Sequence, residues 1–147
     1  MKKILSFVLC TVIILCSLCV PSFADNSNDM EITPYLNNTS FVDVIFTINS
    51  SGRAVVTVIL SGYDGITSHA DISIKLQKKT SSSTWSDVNI GYTNNTYTST
   101  IYGVDGLDEA VFQLSSKGTY KALVDVTVYG SGGPADLIEV DSEYVYD

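Results

Sequence analysis

The sequence has few cysteines, and their positions are informative. All three, Cys10, Cys16 and Cys19, lie in the first 24 residues. The rest of the chain therefore has no disulfide, no thiolate nucleophile and no cysteine ligand for a metal. The chain also has a single histidine, His69, which is a poor start for a zinc site because zinc takes three or four ligands.

Basic residues are also scarce. The 147 residues include 8 Lys+Arg against 16 Asp+Glu, a formal charge of −8. Nucleic-acid binding requires a basic surface, so this composition excludes that class of function. The hydrophobic fraction of 45% is too high for a disordered chain, and the length fits one domain.

The first 24 residues have the organisation of an export signal. Lys2 and Lys3 form a basic start, Ile4–Val20 is apolar, and a small-x-small cleavage site ends at Ala24. We expect cleavage after Ala24 and secretion from the cell, with an uncleaved membrane anchor as the alternative. A leucine precedes each cysteine, which argues against lipidation. Cleavage removes two lysines and no acid, so the mature chain is more acidic still.

Residues 39–147 have the alternation that is typical of β-strands. Period two is clearest in Ala70–Gln77 and in Thr119–Val128. Phe41–Ile48 and Ala54–Leu60 predict two further strands, the second apolar on both faces. Turn-forming residues separate these segments, and none has helical periodicity. Weaker strand patterns cover Trp85–Ile90, Thr96–Tyr102, Ala110–Leu114 and Leu137–Tyr146.

This pattern predicts an all-β fold, an antiparallel immunoglobulin-like sandwich of about seven to eight strands in a single domain, residues 39–147. Residues 25–38 form a polar N-terminal segment between the signal and the sandwich. Tyr120 follows a turn at Lys117-Gly118 and stands at the corner position before strand F. We therefore expect its hydroxyl to bond back to the backbone.

Three segments carry a resemblance to a known group of proteins. They are Ile74–Val88, Lys117–Ala122 and Val128–Gly133. In these segments the chain resembles an uncharacterised family of small secreted proteins of Gram-positive bacteria, from about Ile32 to Tyr144. The resemblance implies an extracellular location and a β-sandwich. No activity is assigned to that family, so the resemblance implies no site residue and no cofactor.

Three acids stand close together beside Gly106, in a segment that the pattern predicts to be a loop: Asp105, Asp108 and Glu109. They are the candidate metal site, because Ca²⁺ takes six to eight oxygen ligands and tolerates irregular loops. Paired carboxylates are also what glycoside hydrolysis requires. The spacing does not match a helix-loop-helix calcium loop, so a solvated acidic turn is the simpler interpretation.

Aromatic residues are concentrated between positions 85 and 102. Tyr92 and Tyr97 flank a turn at Asn94-Asn95, so their rings can meet on one side of a hairpin. They are the candidate ligand-binding residues, because exposed rings form stacking surfaces for sugars. Trp85 is expected to pack into or over the core, and His69 to be an exposed residue at a strand edge.

These observations predict a secreted non-catalytic binding or adhesion module that is not an enzyme and needs no cofactor. Its expected partner is an extracellular glycan or protein, and neither nucleic acid nor, after cleavage, a membrane. The alternative is a structural or assembly protein that pairs through an edge strand. The acids of Leu137–Asp147 are typical of an edge strand protected from aggregation. A small hydrolase using Asp105, Asp108 and Glu109 is less favoured, and the ligand and oligomeric state stay open.

Overall fold

A computed structural model describes residues 36–147, so the expected signal and residues 25–35 lie outside the described part. Among the described residues, no helix is long and apolar enough to cross a membrane. One short 3-10 turn covers Thr93–Asn95. The strands are β1 (Thr39–Ile48), β2 (Arg53–Gly62), β3 (Thr67–Lys79), β4 (Trp85–Asp87), β5 (Tyr97–Tyr102), β6 (Asp105–Gln113), β7 (Gly118–Gly130) and β8 (Asp136–Tyr146).

The strands form two antiparallel sheets. The small sheet has the order β1-β2-β6, and the large sheet has the order β4-β3-β7-β8, with β5 also paired to β3. β4 pairs with the end of β3 at Gln77–Lys79, whereas β5 pairs with its first half at His69–Ile74. β6 returns to the small sheet beside β2, and β7 crosses to lie beside β3. This is the Greek-key arrangement of an immunoglobulin-like sandwich, as the sequence predicts.

Alternation along the strands produces the core. On β3 the residues Ala70, Ile72, Ile74 and Leu76 face inward and are almost completely buried. The opposite phase of the same strand faces solvent on the outer side of the large sheet. β-branched side chains dominate the inner faces and pack well on a pleated surface. The inward residues of both sheets form one hydrophobic cluster.

The tyrosine corner is present. The Tyr120 hydroxyl donates to the Ser116 carbonyl at 2.6 Å, and the Tyr120 side chain is 2% exposed. The bond closes the turn between β6 and β7 and removes the cost of burying the hydroxyl. The predicted role of Tyr120 is confirmed.

A buried polar contact closes the end of the sandwich where the chain enters. The Asp136 carboxylate accepts the backbone N–H groups of Asn37 at 2.8 Å and of Asn38 at 2.7 Å. The Asn38 side chain is fully buried and donates to the Pro134 carbonyl at 2.8 Å. Thr67 donates its hydroxyl to the Asn38 carbonyl. The end of the polar N-terminal segment is thereby joined to β3 and to the start of β8.

Two element boundaries differ from the sequence prediction. β6 begins at Asp105, inside the segment predicted to be a loop, and β4 ends at Asp87, three residues before the predicted end of that strand. Strand β6 is longer because it pairs with β2 over its whole length, from Gln113 to Asp105. Pairing of this kind depends on a partner that is distant in sequence, which the local pattern does not reveal.

Candidate functional site

The outer face of the large sheet carries a stack of three aromatic rings on neighbouring strands. His69 on β3 stands directly opposite Tyr102 on β5 and Tyr129 on β7 in the strand register. The His69 and Tyr129 rings lie 4.6 Å apart at 12° to each other, and the His69 and Tyr102 rings lie 6.2 Å apart at 29°. We call Tyr102, His69 and Tyr129 the ring stack.

The rings of this stack stand up from the sheet. Neighbouring strands are about 4.8 Å apart, so nearly parallel rings at this separation must face one another across the strands. The two end faces of the stack are then available to other groups. Tyr102 is 80% exposed and lies on β5, beyond which the described residues place no further strand. Its outward face is therefore open to solvent.

Hydrogen bonds fix the tautomer of His69. The Ser68 hydroxyl donates its one proton to the Tyr129 carbonyl at 3.0 Å. The same Ser68 oxygen lies 2.9 Å from Nδ1 of His69, so it must accept there and Nδ1 must carry a proton. In the neutral ring, Nε2 is then an acceptor. Nδ1 is used to hold the imidazole in place between the two tyrosines.

A groove lies beside the ring stack. It has a volume of about 370 Å³ and is lined by short polar side chains on β3, β5 and β7. Two residues along each strand from the rings, on the same face, come Asp71, Thr100 and Thr127. The next row consists of Ser73, Thr98 and Asp125. We call this depression the groove, and the ring stack is its wall on one side.

The polar groups of the groove are largely unused by the protein. Thr100 donates to the Asp71 carboxylate at 2.8 Å. Among the described residues, neither Asp71 nor Asp125 forms an ion pair with lysine or arginine. Both carboxylates are on exposed residues. The groove therefore presents negative charge and free hydroxyl groups to solvent.

The structure brings the predicted pair Tyr92 and Tyr97 together. Their ring centroids are 5.4 Å apart, but the rings are perpendicular and both meet the buried ring of Phe112 edge-on. Tyr92 is 48% exposed, and Tyr97 is half-buried and donates to Asp108 at 3.3 Å. The pair is a packed corner of the sandwich and offers no flat surface of two coplanar rings.

Burial raises the pKa of Tyr97, and the nearby Asp108 carboxylate raises it further, whereas a hydrogen bond with Ser99 acts in the opposite direction. The shift has a structural cause, since the phenol is held against the core. It does not make Tyr97 a nucleophile or base near neutral pH, because the neutral phenol becomes still more favoured.

The candidate metal residues do not converge. Asp105, Asp108 and Glu109 lie on strand β6 and not on a loop. Asp105 and Glu109 point to the outer face of the small sheet, whereas Asp108 points inward to Tyr97. Glu109 pairs with Arg53 at 3.5 Å. Within residues 36–147 no group of three His, Cys, Asp or Glu side chains could hold a metal ion.

Trp85 lies outside the hydrophobic core, contrary to the expectation that it packs into or over the core. It stands half-buried on the outer face of the large sheet, with the Lys79 ammonium 5.3 Å and the Lys121 ammonium 4.9 Å from its ring. Short β4 pairs Trp85 with Lys79, which sets this position. The indole is held by two cation–π contacts at the far end of β3 from the ring stack.

Sequence reasoning missed the ring stack. His69 was expected at an exposed strand edge, but β3 is flanked by β5 and β7. The available signal was the outward phase of His69, Tyr102 and Tyr129 on their strands. Comparison of the chain with protein-family models and with curated proteins gives no match. Function must therefore be argued from this geometry.

Proposed function

We propose that the protein is a secreted, non-catalytic binding module that holds an extracellular ligand against the outer face of the large sheet. The ring stack beside the groove carries this proposal. A ring with an open face at the sheet edge has no role in folding, and exposed apolar surface next to unsatisfied polar groups is typical of a binding site. The opposite, inner face of the same strands already supplies the core.

The hydrogen bonds of His69 support a binding role over a catalytic one. A serine nucleophile must give its proton to the histidine that activates it. Ser68 gives its proton to the Tyr129 carbonyl instead and accepts from the imidazole. Asp71, the nearest carboxylate along β3, accepts from Thr100. The histidine is thus arranged to orient rings and not to abstract a proton from Ser68.

The sheet edges favour binding over assembly by strand addition. β8 is an edge strand of the large sheet, and its outward residues include Glu139, Asp141 and Glu143. Carboxylates on an edge strand disfavour pairing with another chain. At the end of the N-terminal segment, Asn37 and Asn38 are bonded within their own domain.

The extracellular location rests on the signal pattern of residues 1–24 and on the absence of cysteine after it. The resemblance to secreted Gram-positive proteins agrees with this location. Bacterial cell-wall material is therefore the first surface on which to look for the ligand.

Co-sedimentation with purified Gram-positive cell walls tests the proposal. We expect residues 25–147 to be retained, and Tyr102→Ala to lose most of the retention without a change in melting temperature. Tyr63→Ala is the matched control, because Tyr63 is also exposed but lies at the end of β2, away from the groove. Equal retention of wild type, Tyr102→Ala and Tyr63→Ala would argue against this face as the binding surface.

A further inference from the structure

The chemistry of the groove restricts the class of ligand. Its side chains end in hydroxyl groups and in the two carboxylates of Asp71 and Asp125. A hydroxyl both donates and accepts, whereas an ionised carboxylate only accepts. A ligand that satisfies such a surface must carry many hydroxyl-type donors and acceptors on short arms. Sugars have this property, and apolar peptides do not.

The charge of the groove excludes a second class of ligands. No lysine or arginine lines it, and the nearest cation on β3, Lys75, lies one outward position beyond Ser73. Two carboxylates that form no ion pair among the described residues repel any anionic ligand. Uronate-containing and phosphate-containing polymers are therefore disfavoured relative to neutral chains of the same length.

The ring stack supplies the apolar contact that a sugar ring needs. The face of an aromatic ring carries negative charge density and attracts the weakly positive C–H groups on the face of a pyranose. The outward face of Tyr102 is open, and Thr100, the groove residue that precedes it on the same face of β5, is adjacent. A sugar ring can thus extend the stack while its hydroxyls reach the groove.

We propose that the groove and the ring stack bind an uncharged polysaccharide chain, with one sugar ring packed on Tyr102 and its neighbour hydrogen-bonded by Asp71, Thr127 and Asp125. This rests on the proposed binding function of the same face and names its ligand class. The carboxylates accept hydrogen bonds from sugar hydroxyl groups and select against anionic chains.

Calorimetric titration of residues 25–147 with oligosaccharides of equal length tests the class. The probes are cellohexaose and chitohexaose, which are neutral, and hexagalacturonate, which is anionic. We expect binding of at least one neutral probe and at least tenfold weaker binding of hexagalacturonate. Tyr102→Ala should weaken the neutral probe about tenfold and Thr127→Val about threefold, whereas Thr47→Val, an exposed threonine on β1, should leave it unchanged.

The Asp71→Asn/Asp125→Asn double variant tests the charge argument separately. It keeps the shape of the groove and removes both charges, so its affinity for hexagalacturonate should rise relative to wild type. Hexagalacturonate binding as tight as that of the neutral probes in wild type overturns the ligand class. So does a wild type that binds none of the three probes yet is retained on cell walls through Tyr102, in which case the binding function itself stands. Failure of both retention and titration overturns both proposals.

Discussion

Single residues show which side-chain roles a local pattern can predict. Tyr120 was predictable, because the corner depends on a residue four positions earlier and on a turn that the sequence itself contains. Trp85 was not, because its surroundings come from Lys79 and Lys121 on two other strands. The outward position of an aromatic residue is fixed only when its strand is paired.

The Tyr120 corner gives a stability prediction. Tyr120→Phe keeps the buried ring and removes the bond to the Ser116 carbonyl, which should lower the free energy of unfolding by about 1–2 kcal/mol. Tyr129→Phe makes the same chemical change on the outer side of the same strand, where the hydroxyl is exposed, and should change stability by less than about 0.5 kcal/mol. Urea denaturation of both variants measures the difference. Equal losses would mean that the corner bond contributes nothing specific.

Tyr97 gives a prediction about pH. Its pKa is raised in the folded protein, above the ordinary value of 10.0, by burial and by Asp108. The folded state therefore retains the phenol proton more strongly than the unfolded state. This contribution to stability is complete below pH 10 and is lost as the pH rises through the folded pKa.

Wild type should thus lose more stability than Tyr97→Phe between about pH 8 and about pH 11, since the variant has no phenol to ionise at this position. All other tyrosines titrate in both proteins, so the difference between their urea midpoints isolates Tyr97. Parallel curves over this interval would show that burial of Tyr97 has no effect on its ionisation.

At the scale of elements, alternation predicts strands well and their partners poorly. The strong patterns at Ala70–Gln77 and Thr119–Val128 became the centres of β3 and β7, because both strands have one face in the core. Their register, which places His69 between Tyr102 and Tyr129, depends on contacts between segments far apart in sequence. The ring stack is a product of register, and a single sequence does not contain that information in a local form.

Strand β6 shows the cost of a wrong element. A loop can direct neighbouring acids to one point, but a strand sends successive side chains to opposite faces. Asp105 and Glu109 therefore share one face of the small sheet and Asp108 lies on the other. The same three residues that predict a calcium site on a loop are divided between solvent and the sandwich interior once β2 pairs with them.

The contact between the chain entry and β8 gives an element-scale prediction. Asp136→Asn should lower the free energy of unfolding by about 2 kcal/mol, because an amide offers one acceptor oxygen where two backbone N–H groups need partners. Asp105→Asn is the control, since Asp105 is exposed on β6. Thermal melts at neutral pH compare the two. A smaller loss for Asp136→Asn than for Asp105→Asn would show that the buried contact does not hold the two elements together.

The whole molecule divides its surfaces by sheet. The outer face of the small sheet exposes Phe41, Ile45, Leu107 and Val111, whereas the outer face of the large sheet carries the ring stack and the groove. The core lies between them and uses neither face. Because folding depends on the inward residues, the outward residues of the large sheet are free to serve binding.

The mature chain as a whole should fold and persist outside the cell without covalent cross-links. A chain of this size buries about two-thirds of its unfolded surface, which is enough to stabilise a sandwich without disulfides. If export removes the first 24 residues, the secreted protein begins at Asp25 and contains no thiol, because Cys10, Cys16 and Cys19 leave with the signal. Intact mass of the culture-supernatant protein should correspond to residues 25–147, thiol titration of the unfolded protein should give zero, and dithiothreitol should leave its melting temperature unchanged. A membrane-bound species that retains residues 1–24 and three titratable thiols would instead identify the segment as an anchor, and the binding face would then act at the cell surface.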